Sequence, residues 1–448
     1  MSSSGTSPSP AAAATNPTEL LRSRSYLVLL AFGAVVGVVV AVVAYFFLKG
    51  VSEAQTYVFT TLPKELGFST APVWWPLPWP ALAGLLVALT IRYLPGNAGH
   101  KPAEGFKTGG PVPPIELPGI VIASLATLCL GVVLGPEAPL IAIGSGLGVL
   151  AVHLIKKDAP ATAVAVIGAA GSFAAISTLL GSPLVGAFLL MEAAGLGGPM
   201  LGVVLVPGLL AAGVGALIFV GLDSWTGFGT FSLAVPSIPS FGHPDGPEFL
   251  WAVAIGLAAA LLGTTIRRLG LFLQPVVEQR SVALTPVVGL AVGGLAVAFA
   301  EATDKSSAEV LFSGQDQLPQ LIQGAADWSV WALVLLFACK GVAYGLSLSC
   351  FRGGPVFPAL FLGAAGGIAL SHAPGLPMIA GVGMGIGAMS VAMLGLPLTS
   401  VLLASVILEA DAVSLMPIVI VAVVVAYVTS ARLAPAKAPT PAAAASPS

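Results

Sequence analysis

The chain has 448 residues, of which 57% are hydrophobic and 8% charged, and its mean hydropathy is +1.00. A soluble domain of this length could not hide so much apolar surface behind so little charge, which makes this an all-α polytopic membrane protein. A net charge of −2 offers nucleic acid no electrostatic footprint, and three cysteines without metal spacing (Cys129, Cys339 and Cys350) form neither a metal site nor a disulfide framework.

Residues 1–22 are rich in Ser, Ala, Pro and Thr and read as a disordered tail. A first membrane repeat, 23–222, holds apolar segments at 25–48, 75–94, 115–134, 137–154, 159–180, 184–196 and 200–221. An extracellular linker, 223–246, follows. A second repeat, 247–432, holds segments at 247–266, 282–300, 329–346, 355–370, 376–393, 397–409 and 413–431, and a second disordered tail closes the chain over 433–448. Several segments fall below the roughly 20 residues that cross a bilayer. With 54 glycines and 37 prolines around them, they read as tilted or discontinuous helices, some ending at membrane depth. Two shorter pieces, 99–108 and 316–324, read as helical turns, and Trp74, Trp75 and Trp79 as an aromatic belt.

Basic residues mark one side: Arg22 and Arg24, then Arg92, Lys101, Lys107, Lys156, Lys157, Arg267, Arg268, Arg280 and Arg432. Loops 50–73, 222–246 and 302–328 carry most of the connecting acids. The positive-inside rule then puts both termini in the cytoplasm of a multi-pass cell-membrane protein, with an even number of crossings.

One phrase occurs twice. Gly135-Pro136-Glu137-Ala138-Pro139 and Gly354-Pro355-Val356-Phe357-Pro358 lie 219 residues apart and lead to glycines at matching offsets. A second echo, Gly181-Ser182-Pro183-Leu184 and Gly395-Leu396-Pro397-Leu398, is spaced by 214. Two echoes at nearly one offset mean a two-fold internal repeat, an arrangement that places binding sites at the repeat interface near mid-membrane.

Gly-Pro before an apolar run starts a helix, since proline gives up no needed N–H in the first turn. A helix start presents free N–H groups and a partial positive charge, which hold an anion without any basic side chain. Pro136 and Ala138 from one copy, and Val356 and Phe357 from the other, therefore frame a candidate anion site. A carboxylate at membrane depth costs about 2.5–3.5 kcal/mol even on insertion scales. Glu137, alone in the first copy, can occupy the anion's place and leave when protonated: a gate. The plainer reading makes it a helix cap. Gly99, His100 and Lys101 open a further short segment and add a possible third helix start, or sit in a solvated loop. Lys340, deep in an apolar run, needs a partner or a carbonyl cage. Glu192, Glu409 and Asp411 end apolar segments and read as structural. The sequence has no H-E-x-x-H, CxxC, Walker A or G-x-S-x-G, so an integral-membrane enzyme has no candidate catalytic residues, metal ligands or cofactor site.

These residues resemble the chloride channel (ClC) family of anion channels and anion/proton exchangers. The G-x-E-G-P phrase of that family is similar to Gly135–Pro139, its G-x-F-x-P to Gly354–Pro358, and its P-L-x-G…E to Pro183–Glu192. The resemblance implies inverted repeats, a homodimer with a pore in each subunit, chloride held at helix N-termini, and Glu137 as the gate. The chain departs from the family where Gly99 stands for an anion-binding serine and where Ala193 stands for the exchangers' inner proton glutamate. No match is found for a final pore-lining tyrosine or a cytoplasmic regulatory domain. Without the inner glutamate, the expectation is a chloride channel, with a chloride/proton antiporter as the alternative.

Overall fold

The computed structural model describes residues 21–106, 110–195, 200–227, 233–235, 241–409 and 412–434. Most of both tails, Lys107, Asp411 and much of the linker expected at 223–246 lie outside them.

In the first half, α1 (Arg24–Thr56) runs on through a π turn (Tyr57–Thr61) and a last turn at Leu62–Glu65, so the loop expected over 50–73 is largely helical. Then come α2 (Pro78–Tyr93), α3 (Leu117–Cys129), α4 (Glu137–Ile155), α5 (Ala161–Leu180), α6 (Pro183–Ala193) and α7 (Met200–Thr226). The second half holds α8 (Gly246–Gln279), α9 (Ser281–Thr303), a short α10 (Leu318–Gln323) and α11 (Val330–Cys350). It closes with α12 (Val356–Leu370), α13 (Met378–Leu394), α14 (Pro397–Leu408) and α15 (Ala412–Leu433). Among the described residues, eight helical stretches are long and apolar enough to cross a membrane.

The boundaries follow local chemistry. Ser23, Ser182 and Ser329 cap α1, α6 and α11 with their hydroxyls, and an Asp245–Glu248 capping box opens α8. The second sequence echo is a stop followed by a start. Gly181 and Gly395 take left-handed backbone (φ 62° and 70°) to end α5 and α13, and Pro183 and Pro397 open the next helices. Helix α8 passes its expected end at 266 because Arg, Leu and Gln sustain a helix; Arg268 donates to the Leu433 carbonyl at 2.5 Å. Of the expected aromatic belt, Trp74 is exposed, but Trp75 is buried and donates to the Val58 carbonyl at 3.0 Å.

The two halves pack alike. Helix α1 lies on α5 and α7 as α8 lies on α13 and α15, and α4 lies on α5 as α12 lies on α13. Where α2 crosses α9, Gly84 faces the Thr285 carbonyl and Gly289 faces the Pro80 carbonyl; a Cβ on either glycine would overlap backbone. Each partner thus offers the other the same contact, the signature of a two-fold axis. The 13 residues of α3 span about 20 Å at 1.5 Å per residue, short of the roughly 30 Å hydrocarbon core. Helix α3 therefore ends within the bilayer's thickness, and the handovers from α3 to α4 and from α11 to α12 run through buried residues, Val133 and Leu134 in one and Phe351 in the other.

Candidate functional site

The two copies of the repeated phrase meet. Gly135 N donates to Gly354 O at 2.8 Å, and Gly354 N to Gly135 O at 2.6 Å. This antiparallel bridge is the sole one among the described residues, and its reciprocal bonds lie on the two-fold axis. Helix α4 begins two residues beyond one glycine and α12 two residues beyond the other. Their positive ends converge on one point from opposite halves.

The Glu137 side chain lies over this bridge. It is 0% exposed, and its Oε1 accepts from Phe357 N at 2.8 Å. The Val356 amide and Glu137's own amide face the same carboxylate. Oε2 has no hydrogen-bond partner among the described residues. A Cβ on Gly135 or on Gly354 would overlap the carboxylate itself. Both bridge positions thus have to be glycine for the carboxylate to sit there, a steric reason that the sequence pattern does not show.

A cavity abuts each side of this position. One, of about 40 Å³, is bounded by Pro136, Ser52, Gln55, Phe312 and Asp316 and opens among the acidic loops. The other, of about 140 Å³, is bounded by Ala138, Gly99, His100, Glu116 and Ser145 and lies toward the basic face. Glu137 stands in sequence between Pro136 on the one and Ala138 on the other.

The residues expected from sequence divide accordingly. Val356 and Phe357 present amides to the carboxylate, while Pro136, which has no N–H, and Ala138 line the two cavities. Gly99 and His100 share the larger cavity with Ala138, and His100 Nε2 is bound to the Gly105 carbonyl at 2.9 Å. Lys101 is not brought in. Its ammonium pairs with Glu278 at 2.6 Å in a separate cavity of about 220 Å³. Instead of a third helix N-terminus the segment makes one 3₁₀ turn, Pro102–Glu104, too short to carry a dipole. Lys340 has its carbonyl cage. Nζ donates to the carbonyls of Glu309 (2.8 Å), Val310 (3.3 Å), Leu311 (2.9 Å) and Phe312 (3.4 Å), and lies 4.4 Å from the Phe361 ring centre. It ties a loop to α11. Glu192 accepts from Leu398 N (3.0 Å), Thr399 N (2.8 Å) and Thr399 Oγ1 (2.6 Å), so it caps α14, the counterpart of its own helix α6.

Four residues not singled out from sequence buttress the bridge. Thr127 Oγ1 accepts from Arg352 N at 3.4 Å, and Ser347 Oγ accepts from Val133 N at 3.3 Å, matched bonds on opposite sides of the axis. Tyr344 OH donates to the Pro355 carbonyl at 2.8 Å, one residue before α12 begins. Arg352, 6% exposed, donates through Nε to the Asn97 carbonyl at 2.9 Å. A hydroxyl near the end of an apolar helix, repeated at nearly the phrase offset, was the available signal for Thr127 and Ser347.

A family model described as "Voltage gated chloride channel" matches residues 83–431. Proteins described as ion-transport protein YfeO are similar over 366 residues. That of Escherichia fergusonii is 29% identical, over 80% of this chain and 82% of its own, and that of Salmonella newport 30% identical, over 80% and 84%. Among solved structures, a slow cyanobacterial Cl⁻/H⁺ antiporter superposes with a TM-score of 0.72 at 20% identity, covering 90% of this chain and 94% of its own. A CLC-type fluoride/proton antiporter gives 0.67 at 17%, covering 90% and 95%. At these identities the likeness is one of fold.

Proposed function

The chain belongs to the voltage-gated chloride channel family, and on that premise we propose that it exchanges chloride or a similar small anion for protons, with Glu137 as both gate and proton carrier. The observation that carries this reading is the Glu137 carboxylate on the Phe357 amide, with Oε2 unpartnered among the described residues and the chain neighbours Pro136 and Ala138 each lining a cavity. A carboxylate and a free anion compete for the same N–H groups at the end of α12. Protonation removes the charge, frees the amides and admits the anion; departure of the anion lets the carboxylate return and give up its proton. Binding of proton and anion at one position is then linked, and linkage is reciprocal. The solved structures that share the fold, both antiporters by name, weigh the same way. The channel expected from sequence keeps one supporting observation, Ala193 directly after Glu192. The basic face placed in the cytoplasm, both termini with it, and a homodimer belong to the same proposal.

The test is chloride efflux from proteoliposomes with proton movement recorded alongside, for wild type and Glu137→Gln. Wild type is expected to move protons against the direction of chloride flow, and Glu137→Gln to pass chloride without protons. No chloride flux in either protein removes the anion pathway. Chloride flux without protons in wild type replaces the exchanger with the channel.

A further inference from the structure

A fully buried carboxylate that must gain and lose a proton needs a route for it. Glu192 does not supply one, because three donors at the start of α14 hold its carboxylate and the next residue is Ala193. The cavity of about 140 Å³ on the basic side reaches Ala138, next in sequence to Glu137. It shares Gly110, Ser145 and Ser172 with an apolar cavity of about 210 Å³ that extends to Leu190 and Ala194. Among the described residues lining the two, Glu116 is the sole carboxylate and His100 the sole other titratable side chain.

We propose that Glu116 is the proton-transfer residue on the basic side, passing protons to Glu137 through water in this cavity. The proposal rests on the exchanger reading above. Glu116 ends the turn Pro114–Glu116 just ahead of α3 and is partly exposed, so it equilibrates with bulk solvent. Its carboxyl lies against Gly96, where a Cβ would press on it, and among the described residues it has no hydrogen-bond or ion-pair partner. The basic side chains Lys101 and Arg352 are engaged elsewhere, with Glu278 and the Asn97 carbonyl, and His100 Nε2 is bonded to the Gly105 carbonyl. A carboxyl neither capped nor paired can change protonation without breaking structure, unlike Glu192. Ser145 and backbone along the wall offer the polar partners that ordered water needs. In the transfer, the O–H bond of protonated Glu116 breaks, each bridging water accepts one proton and donates one, and a new O–H bond forms on Glu137 Oε2. Glu116 is left as the carboxylate and is reloaded from solvent, so charge and protons balance.

The experiment records protons moved per chloride in proteoliposomes for wild type, Glu116→Gln and Glu116→Asp. The Gln variant is expected to lower the ratio by about a hundredfold, the low end for loss of a positioned proton-transfer group, and the Asp variant to recover much of it. A wild-type ratio in Glu116→Gln overturns the proposal. So does an Asp variant as uncoupled as the Gln variant while both elute as the wild type does, since a shorter acid on a water-filled cavity still reaches water. If wild type itself moves no protons, the exchanger reading fails first, an outcome separate from either.

Discussion

Replacing Gly354 by alanine asks whether the Glu137 carboxylate truly occupies the anion's place. The backbone at Gly354 lies outside the left-handed region, so alanine itself is tolerated there. Its Cβ, however, would overlap Glu137 Oε2 and come within 3.0 Å of Ala138 N. The carboxylate has to leave, giving up the 2.8 Å bond from Phe357 N. A hydrogen bond to a charged group is worth about 1.5–3 kcal/mol, which at about 1.4 kcal/mol per decade is roughly 10- to 150-fold in occupancy of the site. The acid is retained but displaced. Chloride flux under conditions where the wild-type gate is closed should therefore rise by a factor of that order, and the rise in flux on acidification should flatten. The assay is chloride efflux from proteoliposomes across a pH series. Glu137→Ala in the same background is the control: with no carboxylate to collide with, Gly354→Ala should add nothing further, a non-additivity that marks direct contact. A Gly354→Ala protein that keeps the wild-type pH profile would refute the placement of the carboxylate over the bridge.

Two further expectations concern the scaffold. Glu192→Ala removes the acceptor at the start of α14 and should lower stability by about 0.5–2 kcal/mol, the usual effect of losing an N-terminal cap, read as a lower unfolding temperature in detergent; a fall in proton coupling without a fall in stability would contradict the capping role. Glu309, in a connecting turn, is pushed above the ordinary glutamate value of 4.5 by burial, in spite of Lys340 and Lys305 nearby. The folded state then holds this proton more tightly than the unfolded chain, so its contribution to stability is present below that range and lost as pH rises through it. Glu309→Gln should gain on wild type in unfolding temperature as pH climbs from acid toward neutral, and a difference that is flat with pH would rule this out.

The helices were legible because a bilayer leaves little choice: apolar segments bounded by Gly and Pro became helices, with α1 and α8 running well past their expected ends and the others shifted by a few residues. Glu137 was legible because a carboxylate in a helix-start phrase at membrane depth has few structural uses. The bridge beneath it was not, since a single backbone pairing between residues 219 apart depends on the two-fold packing and leaves no side-chain pattern. Lys340 showed its need for partners but not their identity, because backbone carbonyls carry no sequence signal. The pairing of Lys101 was hidden for the complementary reason. Its partner Glu278 comes from α8 in the other half, and only the fold brings the two together. Glu116 was passed over because a partly exposed acid ahead of a helix is ordinary until a cavity is seen to connect it with Ala138.

The offset that carries Gly135 onto Gly354 carries Glu137 onto Val356. A symmetric site would place two carboxylates over one bridge. At that separation both could not ionise, and one proton would be held through the whole cycle. With Val356 as the counterpart, a single group titrates against an apolar wall, where low local dielectric strengthens the N–H bond to whichever anion is present. The asymmetry also decides what gating moves. Glu137 belongs to the first half, but the amide it occupies, Phe357 N, belongs to the second. In the proposed gating, one bond across the axis breaks, and the reciprocal Gly135–Gly354 bonds, at 2.8 and 2.6 Å, and the matched Thr127 and Ser347 bonds do not involve the carboxylate. In the exchange proposed above, the side chain would therefore leave its bond while the contacts that join the two halves stay in place.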